Sequence, residues 1–176
     1  MFVAIVIGAA VALFAAFVAT RPAKFRIARS IAVAAPPERA FAHVNDFHKW
    51  AAWSPWEKLD PTMKKVYEGP AEGAGSKYSW VGNKKVGEGR MTIERCDPPS
   101  LIALKIEFLK PWQATNDTTF SFAPEDGGTK VTWAMEGENK TFGAKAFAAL
   151  MNMDKLVGRD FERGLASLKS LAEGSS

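Results

Sequence analysis

The strongest constraint on the fold is a series of segments in which apolar and polar residues alternate, with turn-forming residues between them. Ile102, Leu104 and Ile106 fall on one face of one such segment, and Lys105 and Glu107 fall on the other. A period of two is typical of a half-buried strand. The pattern predicts strands over residues 63–68, 76–81, 86–96, 101–109, 113–123 and 129–137. Such strands, joined by short turns, form an antiparallel meander with one apolar face.

Helical patterns flank this series on both sides. From Asp154 to Gly174, apolar residues such as Phe161, Leu165 and Leu168 recur at i, i+3 and i+4 spacing, which predicts a long amphipathic helix. Before the meander, the sequence predicts a strand over 25–34, a helix over 37–44 and a second short helix from Asn45 or Asp46. Residues 142–152 are apolar and are predicted to form a helix or a mobile lid. The predicted fold is therefore α+β, with a curved antiparallel sheet wrapped around a long C-terminal helix.

The N-terminal segment has a different character. Residues 2–20 carry no charge, and four basic residues then follow within nine positions: Arg21, Lys24, Arg26 and Arg29. Nineteen helical residues would span roughly 28 Å, close to the ~30 Å hydrocarbon core of a bilayer. This predicts a membrane anchor over residues 1–22, with residues 2–20 in lipid, followed by one domain over 25–173. The positive-inside rule then predicts a single-pass protein whose domain lies in the cytoplasm.

Two alternatives to the anchor stay open at this stage. The segment is also compatible with a secretory signal, cleaved near Val18-Ala19-Thr20 or retained, which would make the domain periplasmic or secreted. It is also compatible with a helix buried against a larger structure, because it is apolar on all sides.

The charge and the reactive residues exclude several classes of function. The chain has 23 basic and 19 acidic residues, and the excess is confined to the four basic residues after the apolar segment. Because no later basic patch is interleaved with aromatic residues, nucleic-acid binding is disfavoured. Cys96 is the single cysteine and cannot form an internal disulfide, and His43 and His48 lack the partners of a zinc site. The sequence therefore predicts no metal and no cofactor.

Several local stretches resemble the START-like (SRPBCC) superfamily, and within it the polyketide cyclase/dehydrase-like branch. They are Pro36–Phe41, Trp50–Trp56, Tyr78–Trp80, Thr129–Trp133 and Gly164–Lys169. The order of strand, two helices, meander and long helix matches as well, over about residues 25–173. The resemblance implies a helix-grip fold. The superfamily contains lipid carriers, receptors and cyclases, so the resemblance by itself implies no particular activity.

A strongly curved sheet is not filled by one helix alone, and the gap between them is a typical apolar ligand site. The residues predicted to line it come from the apolar strand faces and the tryptophan-rich segment: Trp53, Tyr78, Trp80, Met91, Phe108, Asn116, Phe120, Trp133 and Met135. For the aromatic residues the alternative is ordinary core packing. For Asn116 and its neighbour Thr118 the alternative is a solvent-exposed end of the sheet.

No set of residues with the spacing of a catalytic site was found, so no catalytic residue is predicted. The main hypothesis is a membrane-anchored domain that binds a hydrophobic small molecule, such as a lipid, a quinone or an isoprenoid. One alternative is a structural or interaction protein whose own tryptophans fill the cavity. The other is a cyclase- or hydratase-type enzyme, which would need two or more titratable groups facing each other in the cavity. The sequence does not indicate an oligomeric state.

Overall fold

The computed structural model describes residues 2–174. The helices are α1 (Phe2–Ala19), α2 (Pro37–Val44), α3 (Phe142–Leu150) and α4 (Met153–Gly174), and two short 3₁₀ helices, Phe47–Ala52 and Pro55–Lys58, follow α2. The strands are β1 (Lys24–Val33), β2 (Lys64–Glu68), β3 (Lys77–Val81), β4 (Glu88–Asp97), β5 (Leu101–Lys110), β6 (Ala114–Glu125) and β7 (Gly128–Glu138).

The seven strands form one sheet in the order β1-β7-β6-β5-β4-β3-β2, and every neighbouring pair is antiparallel. β2 to β7 follow one another as a meander, and β1 closes the other edge by pairing with β7 from Lys24↔Glu138 to Val33↔Thr129. The register of β4 against β5 shifts at Glu88/Gly89 and again at Ile93/Arg95. Such bulges bend a strand and increase its twist, which suits a sheet that curves around a helix.

One face of the sheet is apolar, as the alternation predicts. Val131 and Trp133 on β7 and Ile102 and Leu104 on β5 are buried, whereas Lys130 points to solvent. The predicted helix-grip arrangement of sheet and C-terminal helix is confirmed. Small differences at element ends, such as β2 beginning at Lys64, are within the usual uncertainty of boundaries.

α4 packs across this apolar face from its middle onward. Phe161, Leu165 and Leu168 are buried there, at the spacing of one helical face. Gly164 lies on the same face, and a Cβ atom at this position would be 2.8 Å from the Trp133 ring and 3.1 Å from the Pro55 ring. The absence of a side chain therefore lets the helix approach the sheet closely.

The segment after β1 closes one end of the sheet. Pro37 begins α2, where its missing N–H costs nothing. The Asp46 carboxylate then caps the first 3₁₀ helix by accepting a hydrogen bond from the His48 backbone N–H. The predicted second short helix is thus present as a 3₁₀ helix. The indole N–H groups of Trp50 and Trp53 donate to the carbonyls of Val44 and His43, at 2.9 Å and 3.1 Å.

The predicted transmembrane helix is wrong. Within residues 2–174, no helix has the combination of length and apolarity needed to cross a membrane. The predicted segment does fold as a helix, α1, of 18 residues. Most of its larger apolar side chains are exposed, and it contacts α3. α3 lies within residues 142–152, which were predicted to form either a helix or a mobile lid.

Candidate ligand-binding cavity

An apolar cavity of about 310 Å³ lies between the sheet and the first half of α4. Met91 and Ile106 form part of its sheet side, Val157 and Phe161 cover it from α4, and Trp56 stands at one end. Ligand pockets typically enclose ~300–1,000 Å³ and are mostly apolar with a few polar groups. The cavity therefore has the character of a small-molecule site, at the lower end of the usual size range.

The residues predicted to bind a ligand divide into two groups. Those on the cavity wall are Tyr78, Trp80, Met91, Phe108, Trp133 and Met135. Trp53 and Phe120 are instead buried in the core behind Trp133, and Asn116 lies in a neighbouring recess. For Trp53 and Phe120 the structure thus agrees with the alternative of core packing. Contact of the six wall residues with a ligand stays a prediction.

Aromatic rings fill the interior next to the cavity. The Trp133 ring stacks on Phe161 with 4.1 Å between centroids and an interplanar angle of 6°. Its other neighbours include Phe120 at 4.8 Å and Trp53 at 5.5 Å, and Trp50 continues the cluster at 4.7 Å from Trp53. Trp133 therefore lies at the boundary between two parts of the interior. One part is filled by packed aromatic rings, and the other is the cavity.

A buried polar cluster is built into the cavity wall. The Tyr78 hydroxyl donates a hydrogen bond to Glu57 Oε1 at 2.6 Å, and Lys65 Nζ forms an ion pair with Glu57 Oε2. The Glu57 side chain is only 7% exposed. Burial, together with the hydrogen bond to Glu57, raises the pKa of Tyr78 well above its usual value, so this phenol stays protonated. The cavity therefore contains a carboxylate and a phenol that contact each other.

Two buried polar atoms near the cavity lack a hydrogen-bond partner among the described residues. They are Trp133 Nε1 and Thr118 Oγ1. Thr118 lies opposite Met135 in the β6–β7 register, and the Asn116 amide donates to Met135 Sδ at 3.7 Å. Buried polar groups are usually paired, so this side of the sheet has unused hydrogen-bonding capacity. Because Asn116 and Thr118 are buried, a solvent-exposed sheet end is excluded for both.

A larger recess of about 860 Å³ adjoins the cavity. Phe108, Met135, Leu156 and Val157 line both spaces. The recess is bordered by α3, by the segment before β1 and by the turn after β5, where Trp112 is 72% exposed. It therefore forms the outer approach to the cavity.

A protein-family model described as "Polyketide cyclase / dehydrase and lipid transport" matches residues 24–173. The chain belongs to this family. The matched range contains the whole sheet, α2, α3, all but the last residue of α4 and every residue of the cavity wall. The resemblance stated from the sequence is thereby confirmed. The comparison with curated proteins found no match.

Solved structures share the family's fold at low identity. Protein CV1439 from Chromobacterium violaceum is 18% identical with a TM-score of 0.59, and the match covers 87% of this chain and 99% of that chain. The Aha1 dimer from Colwellia psychrerythraea is 16% identical with a TM-score of 0.60, and the match covers 85% of this chain and 96% of that chain. The di-domain ARO/CYC StfQ from the steffimycin biosynthetic pathway is 15% identical with a TM-score of 0.65, and the match covers 86% of this chain and 51% of that chain. At such identities the likeness shows the fold alone.

The single cysteine and the two histidines of this polyketide cyclase/dehydrase family member lie away from the cavity wall. The Cys96 thiol donates to Asn45 Oδ1 at 3.1 Å, and burial raises its pKa. Burial lowers the pKa of His43, and His48 pairs with Asp46 at the cap of the 3₁₀ helix. Among residues 2–174, no group of histidine, cysteine and carboxylate side chains is arranged to hold a metal ion.

Sequence reasoning missed several residues of the cavity wall in this family member. Leu156, Val157 and Phe161 were placed on the apolar face of the C-terminal helix, and only their contact with the cavity was not foreseen. Glu57 was missed entirely, because it lies in a 3₁₀ turn between the tryptophan-rich segment and β2, where no periodicity assigns a direction to a side chain. The sequence contained one indication of this residue's role, namely a carboxylate directly after Trp56.

Proposed function

We propose that this family member binds a hydrophobic small molecule, such as a lipid, a quinone or an isoprenoid, in the cavity beneath the first half of α4. The observation that carries the proposal is the cavity itself: its wall is mainly apolar, and the tryptophan cluster beside it does not fill it. Burying apolar ligand surface contributes about 25 cal/mol per Å² before the costs of association. The alternative of a self-filled interior is disfavoured for the same reason.

Uptake of an apolar fluorescent probe such as 1-anilinonaphthalene-8-sulfonate, and of a series of lipids followed by native mass spectrometry, tests the proposal on the full chain. Val157→Phe places a ring into the cavity, whereas Val66→Phe adds the same ring on β2, where Val66 is 55% exposed. We expect saturable uptake by the wild-type protein and by Val66→Phe, and at least tenfold weaker uptake by Val157→Phe. Absence of uptake by folded wild-type protein, or equal uptake by the two variants, would contradict the proposal.

We further propose that the ligand is exchanged at an anionic membrane surface. The recess and α1 expose apolar side chains, including Trp112, Phe147 and Leu150, next to basic side chains such as Lys110 and Arg21. Basic side chains near an anionic leaflet contribute about 1 kcal/mol each, and exposed aromatic rings suit the lipid–water interface. The proposal does not require a membrane-spanning helix.

Co-sedimentation with vesicles tests this second part. We expect the full chain to bind vesicles of phosphatidylcholine with phosphatidylglycerol more tightly than vesicles of phosphatidylcholine alone, and less tightly at high salt. Lys110→Glu should weaken the binding, and Lys130→Glu on the outer side of β7 serves as the control. Equal binding to the two kinds of vesicle would contradict it. The cytoplasmic location predicted from the basic segment Arg21–Arg29 assumed a membrane-spanning helix; it stays a prediction, and the accessibility of the chain to protease in intact cells compared with lysed cells tests it.

Enzymatic activity is a second candidate function, and one specific observation favours it. Glu57, Tyr78 and Asp160 all line the cavity, and the first two are hydrogen-bonded to each other. General acid–base catalysis requires such positioned groups. Mass spectrometry of the molecules extracted from wild-type and Glu57→Gln protein separates the two functions. An enzyme would yield different molecules from the two proteins, and a binding protein would yield the same one.

A further inference from the structure

Glu57 and Tyr78 form a hydrogen-bonded polar pair in the cavity wall, with Lys65 behind them. Glu57 reaches the wall from the second 3₁₀ helix, and Tyr78 reaches it from β3. The Tyr78 ring is held between Tyr67 and Trp80, with centroids 5.2 Å and 5.9 Å away. The two groups are therefore fixed in place on an otherwise apolar surface.

The hydrogen-bond inventory of this pair shows what it offers to a ligand. The one donor, the Tyr78 hydroxyl, is used by Glu57, and Lys65 uses the second carboxylate oxygen. Each carboxylate oxygen has about two acceptor positions, and the phenol oxygen keeps its own acceptor capacity. The pair thus has acceptors left and no donor. A ligand group that fits here must donate a hydrogen.

The charges around Glu57 and Tyr78 further restrict the class of ligand that fits. The negative charge of Glu57 is balanced by Lys65, which lies on the adjacent strand β2. Asp160 adds a second acidic group to the wall, and the cationic Lys85 is exposed at the rim. A ligand carboxylate next to Glu57 would meet a like charge in a desolvated site, which is unfavourable. A neutral donor carries no such cost.

We infer that Glu57 and Tyr78 together accept the hydrogen of a hydroxyl group, so that the cavity selects neutral alcohols and phenols over ethers and carboxylates of the same shape. This inference rests on the proposed function, because it assigns a polar contact to the ligand of the same cavity. Hydrogen bonds to a charged group are stronger than those between neutral groups, so the preference for a donor should be roughly tenfold.

Equilibrium dialysis at neutral pH with three matched probes tests the inference: 2-naphthol, 2-methoxynaphthalene and 2-naphthoic acid. We expect the wild-type protein to bind 2-naphthol roughly tenfold more tightly than the methyl ether, and the carboxylate most weakly. Tyr78→Phe and Glu57→Gln should each reduce the preference for 2-naphthol over the ether, Glu57→Gln by more because it removes the charged acceptor, while leaving the affinity of the ether unchanged. Glu94→Gln removes a carboxylate from an exposed ion pair with Lys105 and should keep the wild-type preference.

The outcomes separate this inference from the proposed function. Binding of the ether and 2-naphthol with equal affinity to wild-type protein overturns the inference and supports the cavity as a ligand site. An undiminished preference in folded Tyr78→Phe and Glu57→Gln also overturns it. Absence of binding of either neutral probe overturns both proposals. If Glu57→Gln does not fold because Lys65 loses its partner, Tyr78→Phe carries the test alone, since it removes one oxygen and keeps the ring.

Discussion

The two halves of α4 cover two unlike parts of the interior. Leu165 and Leu168 are buried in the second half, and Phe161, near the middle of the helix, stacks on Trp133. The first half lies over the cavity, and Leu156 is 51% exposed there. Apolar packing holds the helix at one end. At the other end, the Arg29 guanidinium on β1 binds Asp154 at 3.0 Å and Glu162 at 2.8 Å.

The difference teaches how one fold supplies both stability and an empty site. Close-packed rings, which stabilise a core beyond their buried area alone, are concentrated where Trp53 and Trp133 meet. Ion pairs then hold the first half of α4 in position without filling the space beneath it.

Removal of the Trp133 ring, at the boundary between the packed aromatic rings and the cavity, should have the largest effect on stability. Trp133 is 1% exposed and has ring contacts on several sides, so Trp133→Ala should lower the free energy of unfolding by about 3–5 kcal/mol. Denaturant unfolding of the full chain measures it. Trp112→Ala is the matched control, because that ring is mostly exposed and its loss should change stability by less than about 0.5 kcal/mol. Similar losses in the two variants would mean that the boundary is not tightly packed.

Adding one methyl group to each half of α4 sharpens the comparison. Gly164→Ala would force a Cβ against the rings of Trp133 and Pro55, and we expect a net cost of about 1–3 kcal/mol despite the better helix propensity of alanine. Gly158→Ala would displace the Arg29 guanidinium, whose ion pairs with the exposed Asp154 and Glu162 carboxylates contribute at most about 1 kcal/mol. It should therefore cost clearly less in the same unfolding experiment. The reverse order would contradict the assignment of a rigid half and a loosely held half.

Alkaline titration examines the polar part of the cavity wall. Because burial raises the pKa of Tyr78, the folded state keeps a proton that the unfolded state releases above about pH 10. Stability should therefore fall as the pH rises above 10, by about 1.4 kcal/mol at pH 11 for one such group. Unfolding followed between pH 9 and about pH 11 measures the slope, and Tyr78→Phe should make it shallower. Burial also raises the pKa of Tyr67, so part of the slope should remain in the variant.

The ion pairs at the first half of α4 should have the smallest effect. Their carboxylates are largely exposed, so Arg29→Gln should cost at most about 1 kcal/mol at neutral pH. The hydrogen bonds from Arg29 lower the pKa of Asp154, so this stabilisation is present above about pH 4 and is lost as the pH falls further. The difference between wild type and variant should therefore disappear in acid. Arg26→Gln, in an exposed pair with Glu136, provides the control.

Much of the fold could be predicted from the sequence, because alternation and helical spacing are local properties. The burial of Ile102 and Leu104 on β5 follows from such a pattern, and so does the buried face of α4. The transmembrane helix was predicted from the same kind of local observation: the helix itself is present as α1, but among residues 2–174 no helix meets the requirements for crossing a membrane.

The site was predictable only in part. Tyr78 and Trp80 were placed on the inner face by alternation, and both lie on the cavity wall. Trp53 and Phe120 carry the same apolar signal, but they pack behind Trp133 rather than beside the cavity. Composition and periodicity do not distinguish a ring that completes a core from a ring that borders an empty space.

The amino-acid sequence alone determined the strands, the inward face of each strand and the long amphipathic helix, because each of these depends on residues only a few positions apart. Tertiary structure alone decided where the interior is filled and where it is empty. Trp53 meets Trp133, and Glu57 meets Tyr78, only after the 3₁₀ helices and the sheet come together. The cavity and its acceptor pair depend on contacts between distant segments, and no local pattern encodes such contacts.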